Sequence, residues 1–144
     1  GLDAAVEEYL TEFGIQMGIK TKFAFQVEGD LNLSSVAEVQ LVCILQEALT
    51  NIRKHAQALE VKVSIRKENH GGGDHIHMQV MDDGIGFRAA GTKRNFGLQT
   101  MRERAESVGG QLNIKSGNGN GTSIECLLPC LQPERLQKQS VVLH

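Results

Sequence analysis

Four side chains at the end of one apolar run are of the types that handle a charged ligand: Glu47, Asn51, Lys54 and His55, within Gln46–Ala56, QEALTNIRKHA. On a helix Glu47 and Asn51 share one face, and Lys54 and His55 stay within about 80° of Glu47 at ~100° per residue. Leu41, Leu45, Ala48, Leu49 and Ile52 fall on the other side. A merely solvated face would do as well with Glu and Lys alone, so the asparagine is the informative residue. A second group is Asp82-Asp83-Gly84-Ile85-Gly86-Phe87. An acid at a strand end followed by Gly-x-Gly can lie at a pocket floor while the backbone passes close to a ligand. An ionised carboxylate only accepts hydrogen bonds, so it suits an exocyclic amine such as that of adenine. The same residues also make an ordinary Asp-Gly turn.

Other signals are weaker. Gly97 opens a helical pattern, and a helix N-terminus offers free N–H groups and partial positive charge to a phosphate. Gly119-Asn120-Gly121-Thr122 is either a further phosphate contact or a hairpin turn. His70, His75 and His77 surround a glycine turn without the Cys or carboxylate partners of a closed metal site, and read as exposed hairpin residues. The acids lack the spacing of a calcium loop. There is no P-loop and no dinucleotide fingerprint after the first strand. No Ser or Cys stands in a nucleophile motif.

These residues need elements to hold them. Leu2, Val6, Tyr9, Leu10, Phe13 and Met17 recur at helical spacing, and Gly18 follows. Phe23, Phe25 and Val27 alternate within a strand from Thr21 to Glu28. Ser35 starts the long helix, with Glu38 completing a capping box, and the helix is expected to run to His55 or Ala56. Leu59 to Arg66 and Ile76 to Asp83 alternate as a hairpin around a glycine-rich turn at 69–74. Periodicity stops from Gly84 to Asn95, a long loop of the kind that is often functional. Helix resumes near Gly97, with Leu98, Met101, Ala105 and Val108 on one face and Gly109-Gly110 closing it. Leu112 and Ile114 mark a fourth strand, and Thr122 to Leu128 a fifth. The expected fold is α+β: a two-layer sandwich with one mixed, mostly antiparallel sheet and helices on one face. Residues 1–129 would form the domain and 130–144 a polar tail, expected to be disordered.

At 144 residues the chain fits one domain with a proper core. The formal net charge of -2 argues against a duplex-wrapping or polybasic membrane-binding surface, so neither nucleic acid nor direct membrane contact is expected. The three cysteines lack metal spacing and read as reduced thiols in a cytosol. No apolar run approaches the ~20 residues of a membrane span, and no signal peptide is expected from this sequence. The chain opens directly on helix-like sequence, as an excised domain would.

Taken in order, Glu-x-x-x-Asn on a helix, Asp-x-Gly-x-Gly after a strand, a loop, a Gly-started helix and Gly-x-Gly-Thr before a strand resemble the GHKL ATPase fold, the Bergerat fold of gyrase, a heat-shock chaperone, sensor histidine kinases and mismatch-repair proteins. The resemblance covers about Leu2 to Pro129. Within it EALTNIRKHA, DDGIGF and FGLQTMRERAESVGG look like the ATP-binding catalytic domain of a bacterial two-component sensor histidine kinase. The branch they most resemble is that of nitrate and envelope-stress sensors paired with LuxR-type regulators. The resemblance implies ATP and Mg²⁺ as cofactors. Asn51 would coordinate the metal, with Glu47 beside it holding a metal-bound water or polarising the attacking group. Lys54 and His55 would face the phosphates, and Asp82 would accept from the adenine amine, with Gly84 and Gly86 permitting close approach. Residues 88–96, ending at Phe96, would form the ATP lid. Gly97 and Leu98 would offer helix-end N–H groups, and Thr122 would lie near the base. Implied partners are the dimerisation and phosphoacceptor domain of a homodimeric parent and a cognate response regulator. The implied setting is the cytoplasm, under a parent that is anchored in the inner membrane or soluble.

Two features depart from the pattern. Thr100 stands where the family often has glycine, and none of the five histidines lies in a dimerisation helix. The chain is therefore expected to bind Mg-ATP without autophosphorylating alone. An anti-sigma-factor serine kinase, with a similar asparagine helix, and a non-catalytic interaction module are the alternatives.

Overall fold

Alternating apolar and polar residues build five strands into one sheet in the computed structural model, which describes residues 1–85, 97–116 and 121–132. The elements are α1 (Leu2–Met17), β1 (Lys20–Gln26), α2 (Ser35–Asn51), a π-helical turn (Ile52–Ala56), β2 (Glu60–His70), β3 (Gly73–Asp82), α3 (Leu98–Glu106), β4 (Gln111–Ser116) and β5 (Thr122–Pro129). The sheet order is β1-β2-β3-β5-β4, with β1 and β2 parallel and every other pair antiparallel. The expected α+β sandwich is the one observed. Val61, Val63 and Ile65 on β2, Ile76, Met78 and Val80 on β3, and Ile124, Cys126 and Leu128 on β5 are buried. The helices cover that face with Val6 and Leu10 of α1, Leu41, Ile44, Leu45, Ala48 and Leu49 of α2, and Met101 and Ala105 of α3. A strand's period of two leaves the other face to Glu60, Lys62, Ser64 and Arg66, which is why one layer of helices suffices.

Local chemistry refines several boundaries. The cap of α2 is Ser34, one residue before the expected start: its Oγ accepts from Ala37 N at 3.1 Å, so Ser35 and Glu38 do not form the capping box. The α-helix stops at Asn51, and the next five residues wind as a π turn that ends on Gln57 at φ 52°. The ~100° per residue used to align Lys54 and His55 with Glu47 therefore stops applying after Asn51.

Strands β2 and β3 run longer than their apolar alternation. The pairs Glu68↔His75, Asn69↔Asp74 and His70↔Gly73 extend the ladder to a two-residue turn. Gly71 and Gly72 take that turn with φ of 61° and 87°, the positive values a type I′ hairpin needs. The domain also reaches beyond Pro129. Cys130 is buried, its N–H donates to Asp74 O at 2.8 Å, and Leu131 N donates to Asn32 O at 2.6 Å. The first residues assigned to the tail are thus stitched to the body, while residues 133–144 lie outside the described set.

Candidate functional site

The strand registers gather the chemically suggestive residues at one end of the sheet. Val61 pairs with Asp82, and Asp82 with Thr122, so the start of β2, the end of β3 and the start of β5 meet. The π turn after α2 feeds that corner through Gln57–Leu59. Asn51 is buried, 8% exposed, a setting in which a primary amide needs hydrogen-bond partners. The start of α3 lies against it. A Cβ on Gly97 would sit 3.5 Å from Asn51 Nδ2 and 3.7 Å from Oδ1. Gly97 is the N-cap of α3 at φ 74°, so the first-turn N–H groups of α3, which have no intrahelical acceptor, start beside Asn51. Leu98 begins the helix half-buried, and Thr100 is exposed.

Glu47, one turn before Asn51, is held by α3. Its Oε1 accepts from Arg104 Nε at 2.8 Å, and Arg104 Nη1 donates to Gln40 Oε1 at 3.1 Å. Glu47 beside it pushes the Arg104 guanidinium further above its already high range. The other carboxylate oxygen, Oε2, is buried with no hydrogen-bond partner among the described residues.

The acid pair divides into two roles. Asp82 Oδ1 accepts from Gly84 N at 2.8 Å, turning the chain directly after β3. Burial pushes its carboxyl above the usual range; the Gly84 amide pulls it down, the Asp83 charge pushes it up, and the Thr122 amide pulls it down. Opposite it, Gly121 has φ +76° and no room for a side chain, since a Cβ there would lie 2.0 Å from Asp82 O. Thr122 is buried, 8% exposed, with Oγ1 and Ser116 Oγ 3.2 Å apart. Asp83 instead closes the sheet: its Oδ1 accepts from Leu59 N at 2.8 Å and Glu60 N at 3.0 Å. The Glu60 amide first, then that of Leu59, holds its carboxyl below the usual range.

Lys54 is exposed on the π turn, which also carries His55. Gly86 and Phe96, with the rest of the expected lid, lie outside the described residues, as do Gly119 and Asn120. The histidines require a correction. His70 is exposed, but His77 is buried, with Nδ1 3.1 Å from Glu68 Oε1 and Nε2 3.9 Å from Glu125 Oε1. Extension of the hairpin places these groups on adjacent strands, which the turn-like sequence hid. Among the described residues no three His, Cys, Asp or Glu side chains group as a metal site. Arg104 is the residue that sequence reasoning missed; the signal was its place seven positions after Gly97, on the same face of α3.

Residues 36–132 match the family described as Histidine kinase-, DNA gyrase B-, and HSP90-like ATPase. Over 136 residues the chain is 33% identical to the sensor histidine kinase LiaS of Bacillus subtilis (strain 168), with 94% of this chain and 36% of LiaS aligned. It is 33% identical over 139 residues to a sensor-like histidine kinase of Chloroflexus aurantiacus, with 90% of this chain and 22% of that protein aligned. The chain thus spans about a third or less of these relatives. The histidine kinase domain of the Erythrobacter litoralis EL346 blue-light activated histidine kinase superposes with a TM-score of 0.67 at 22% identity, over 90% of this chain and 61% of that one. That likeness speaks to the fold.

Proposed function

Because the chain belongs to the family of histidine kinase-, DNA gyrase B- and HSP90-like ATPases, we propose that it is the catalytic domain of a two-component sensor kinase. It binds Mg-ATP and presents the γ-phosphate to a histidine on the dimerisation domain of a larger parent. The observation that carries this reading is the sheet-end corner itself. A partly desolvated acid, Asp82, is fixed by a neighbouring amide, while Gly121 lets β5 approach its backbone.

The residues fit the cofactor chemically. Asp82 is an acceptor for the adenine amine, Thr122 borders the base, and Gly84 leaves the backbone close to it. At the other end a buried amide, Asn51, lies beside a helix start, and Glu47 carries a buried oxygen with no partner among the described residues. Mg²⁺ binds with few protein ligands and keeps several waters, which suits Asn51 as its direct ligand and Glu47 as a partner to its water shell. When bound, the metal supplies charge neutralisation across the phosphates. Lys54 and the N–H groups of Gly97 and Leu98 would attract and orient the phosphates. Phosphotransfer needs the parent's dimerisation helices and then a response regulator of the LuxR type, in the cytoplasm. Among the described residues no helix is long and apolar enough to cross a membrane.

Calorimetric titration with a non-hydrolysable ATP analogue, with Mg²⁺ and with EDTA, tests the reading. Saturable binding strengthened by Mg²⁺ is expected, and Asn51→Ala should remove most of the metal's contribution while keeping metal-free binding. Absence of saturable binding at millimolar nucleotide would refute the assignment.

A further inference from the structure

Helices α2 and α3 meet along a ladder of polar contacts that runs antiparallel. Gly97 lies at Asn51, and seven residues on, Arg104 lies at Glu47 and Gln40. Spacings of four and seven keep Gln40, Glu47 and Asn51 on one face of α2, and a spacing of seven does the same for Gly97 and Arg104 on α3. Met101 and Ala105 of α3 are fully buried, so the helix is already seated by apolar contact. Seating alone therefore does not require a guanidinium at this position.

Arg104 also has a specific geometry. It meets only one oxygen of Glu47, through Nε, and spends Nη1 on Gln40, although a guanidinium can grip a carboxylate through both oxygens. Gln40 draws the fork sideways, and Glu47 Oε2 stays buried and unpartnered among the described residues. A buried carboxylate oxygen in that state marks a place where a donor belongs. The pair also settles an electrostatic conflict: a bare carboxylate one turn from a phosphate-binding end would repel the phosphates, and the guanidinium cancels its charge while leaving Oε2 able to accept.

We propose that Arg104 is a positioning residue for the phosphate end of the site: together with Gln40 it fixes Glu47 through Oε1, so that Oε2 accepts a hydrogen bond from a water of the nucleotide-bound magnesium. The inference rests on the Mg-nucleotide reading above and adds to it the residue that orients the acid. It also makes Glu47 a charge-compensated acceptor.

The test compares the ratio of nucleotide-analogue affinities with and without Mg²⁺ in the wild-type chain, Arg104→Met, Glu47→Gln and the double variant. Each ratio comes from one preparation, so a change in stability alone does not move it. Glu47→Gln keeps an oxygen for Arg104 and turns an NH₂ group, a donor, to the position of Oε2. Each single variant should lower the ratio by about tenfold, and the double variant no further than either. A ratio in Glu47→Gln within twofold of wild type overturns the proposal, whether or not Arg104→Met folds. So do additive effects in the double variant, which would mean that Arg104 acts independently of Glu47, and so does a wild-type ratio in a folded Arg104→Met, which would make it a simple latch between helices. Saturable binding without any Mg²⁺ dependence in the wild type overturns this inference and leaves nucleotide binding standing; no binding at all overturns both.

Discussion

Replacing Asp82 by Asn should separate binding from folding, because the proposed site makes the charge favourable to nucleotide while burial makes it unfavourable to the fold. Burial raises the carboxyl pKa in the folded chain. A raised acid favours the fold at low pH, and that contribution is lost as pH rises through the folded value; near neutral pH the charge is a burden on the native state. An amide removes the burden and still accepts from Gly84 N through its oxygen, while the weaker Thr122 contact is the one at risk. Stability in urea at pH 7.5 should therefore stay within ~1 kcal/mol of wild type. Binding behaves differently. In the proposed site the carboxylate accepts from the adenine amine, whereas an amide would turn a donor toward it. The lost charge-assisted hydrogen bond is worth ~1.5–3 kcal/mol, or a fall in affinity of roughly 10- to 150-fold. Paired calorimetry and urea unfolding give both numbers on one protein. Wild-type affinity in Asp82→Asn would mean that the base does not sit at this acid. Affinity and stability falling together would mean that Asp82 acts through the fold.

Gly121→Ala should be among the most damaging single-atom additions, because its Cβ would meet the Asp82 carbonyl oxygen at 2.0 Å and φ is +76°. A loss of ~2 kcal/mol or more in urea unfolding is expected, from left-handed strain plus displacement of the β3–β5 corner. Glu68 controls acid stability: Arg66 first, then His70 and His77, hold its carboxyl down to about 2 from 4.5. Its stabilising contribution is complete above 4.5 and is lost as pH falls from there toward 2, so urea midpoints of Glu68→Gln should depend less steeply on pH across that window. A slope equal to wild type would dissociate the cluster from acid unfolding. Among the thiols, burial pushes Cys126 up to about 12, and Cys43 is half-exposed. Native alkylation at pH 8 should therefore label Cys43 first and reach Cys126 only in urea, as peptide mapping would read.

Much of the fold was legible because it rests on local repetition. Val61-Val63-Ile65 and Ile76-Met78-Val80 alternate, and a period of two admits one buried face. Leu41, Leu45, Ala48 and Leu49 recur at helical spacing, and they are the buried stripe of α2. Order along the chain was also enough to align Asn51, Asp82, Gly97 and Thr122 with one family pattern. What stayed hidden depends on groups distant in sequence. His77 is buried because Glu68 and Glu125 come from neighbouring strands. The part played by Asp83 stayed hidden until the sheet register gave it the amides of Leu59 and Glu60. The π turn after Asn51 is not encoded in helical periodicity, which runs on through His55.

The four polar residues of Gln46–Ala56 show the division most clearly. By itself the sequence determined that Glu47 and Asn51 lie on an amphipathic helix, since apolar spacing alone decides which side faces the core. Only the tertiary structure decided that Arg104, 57 positions away, would take one oxygen of Glu47 and leave the other buried. A pairing over that distance depends on how α3 lies across α2. That is set by side-chain packing of Met101 and Ala105 into the core, which a one-dimensional pattern does not contain.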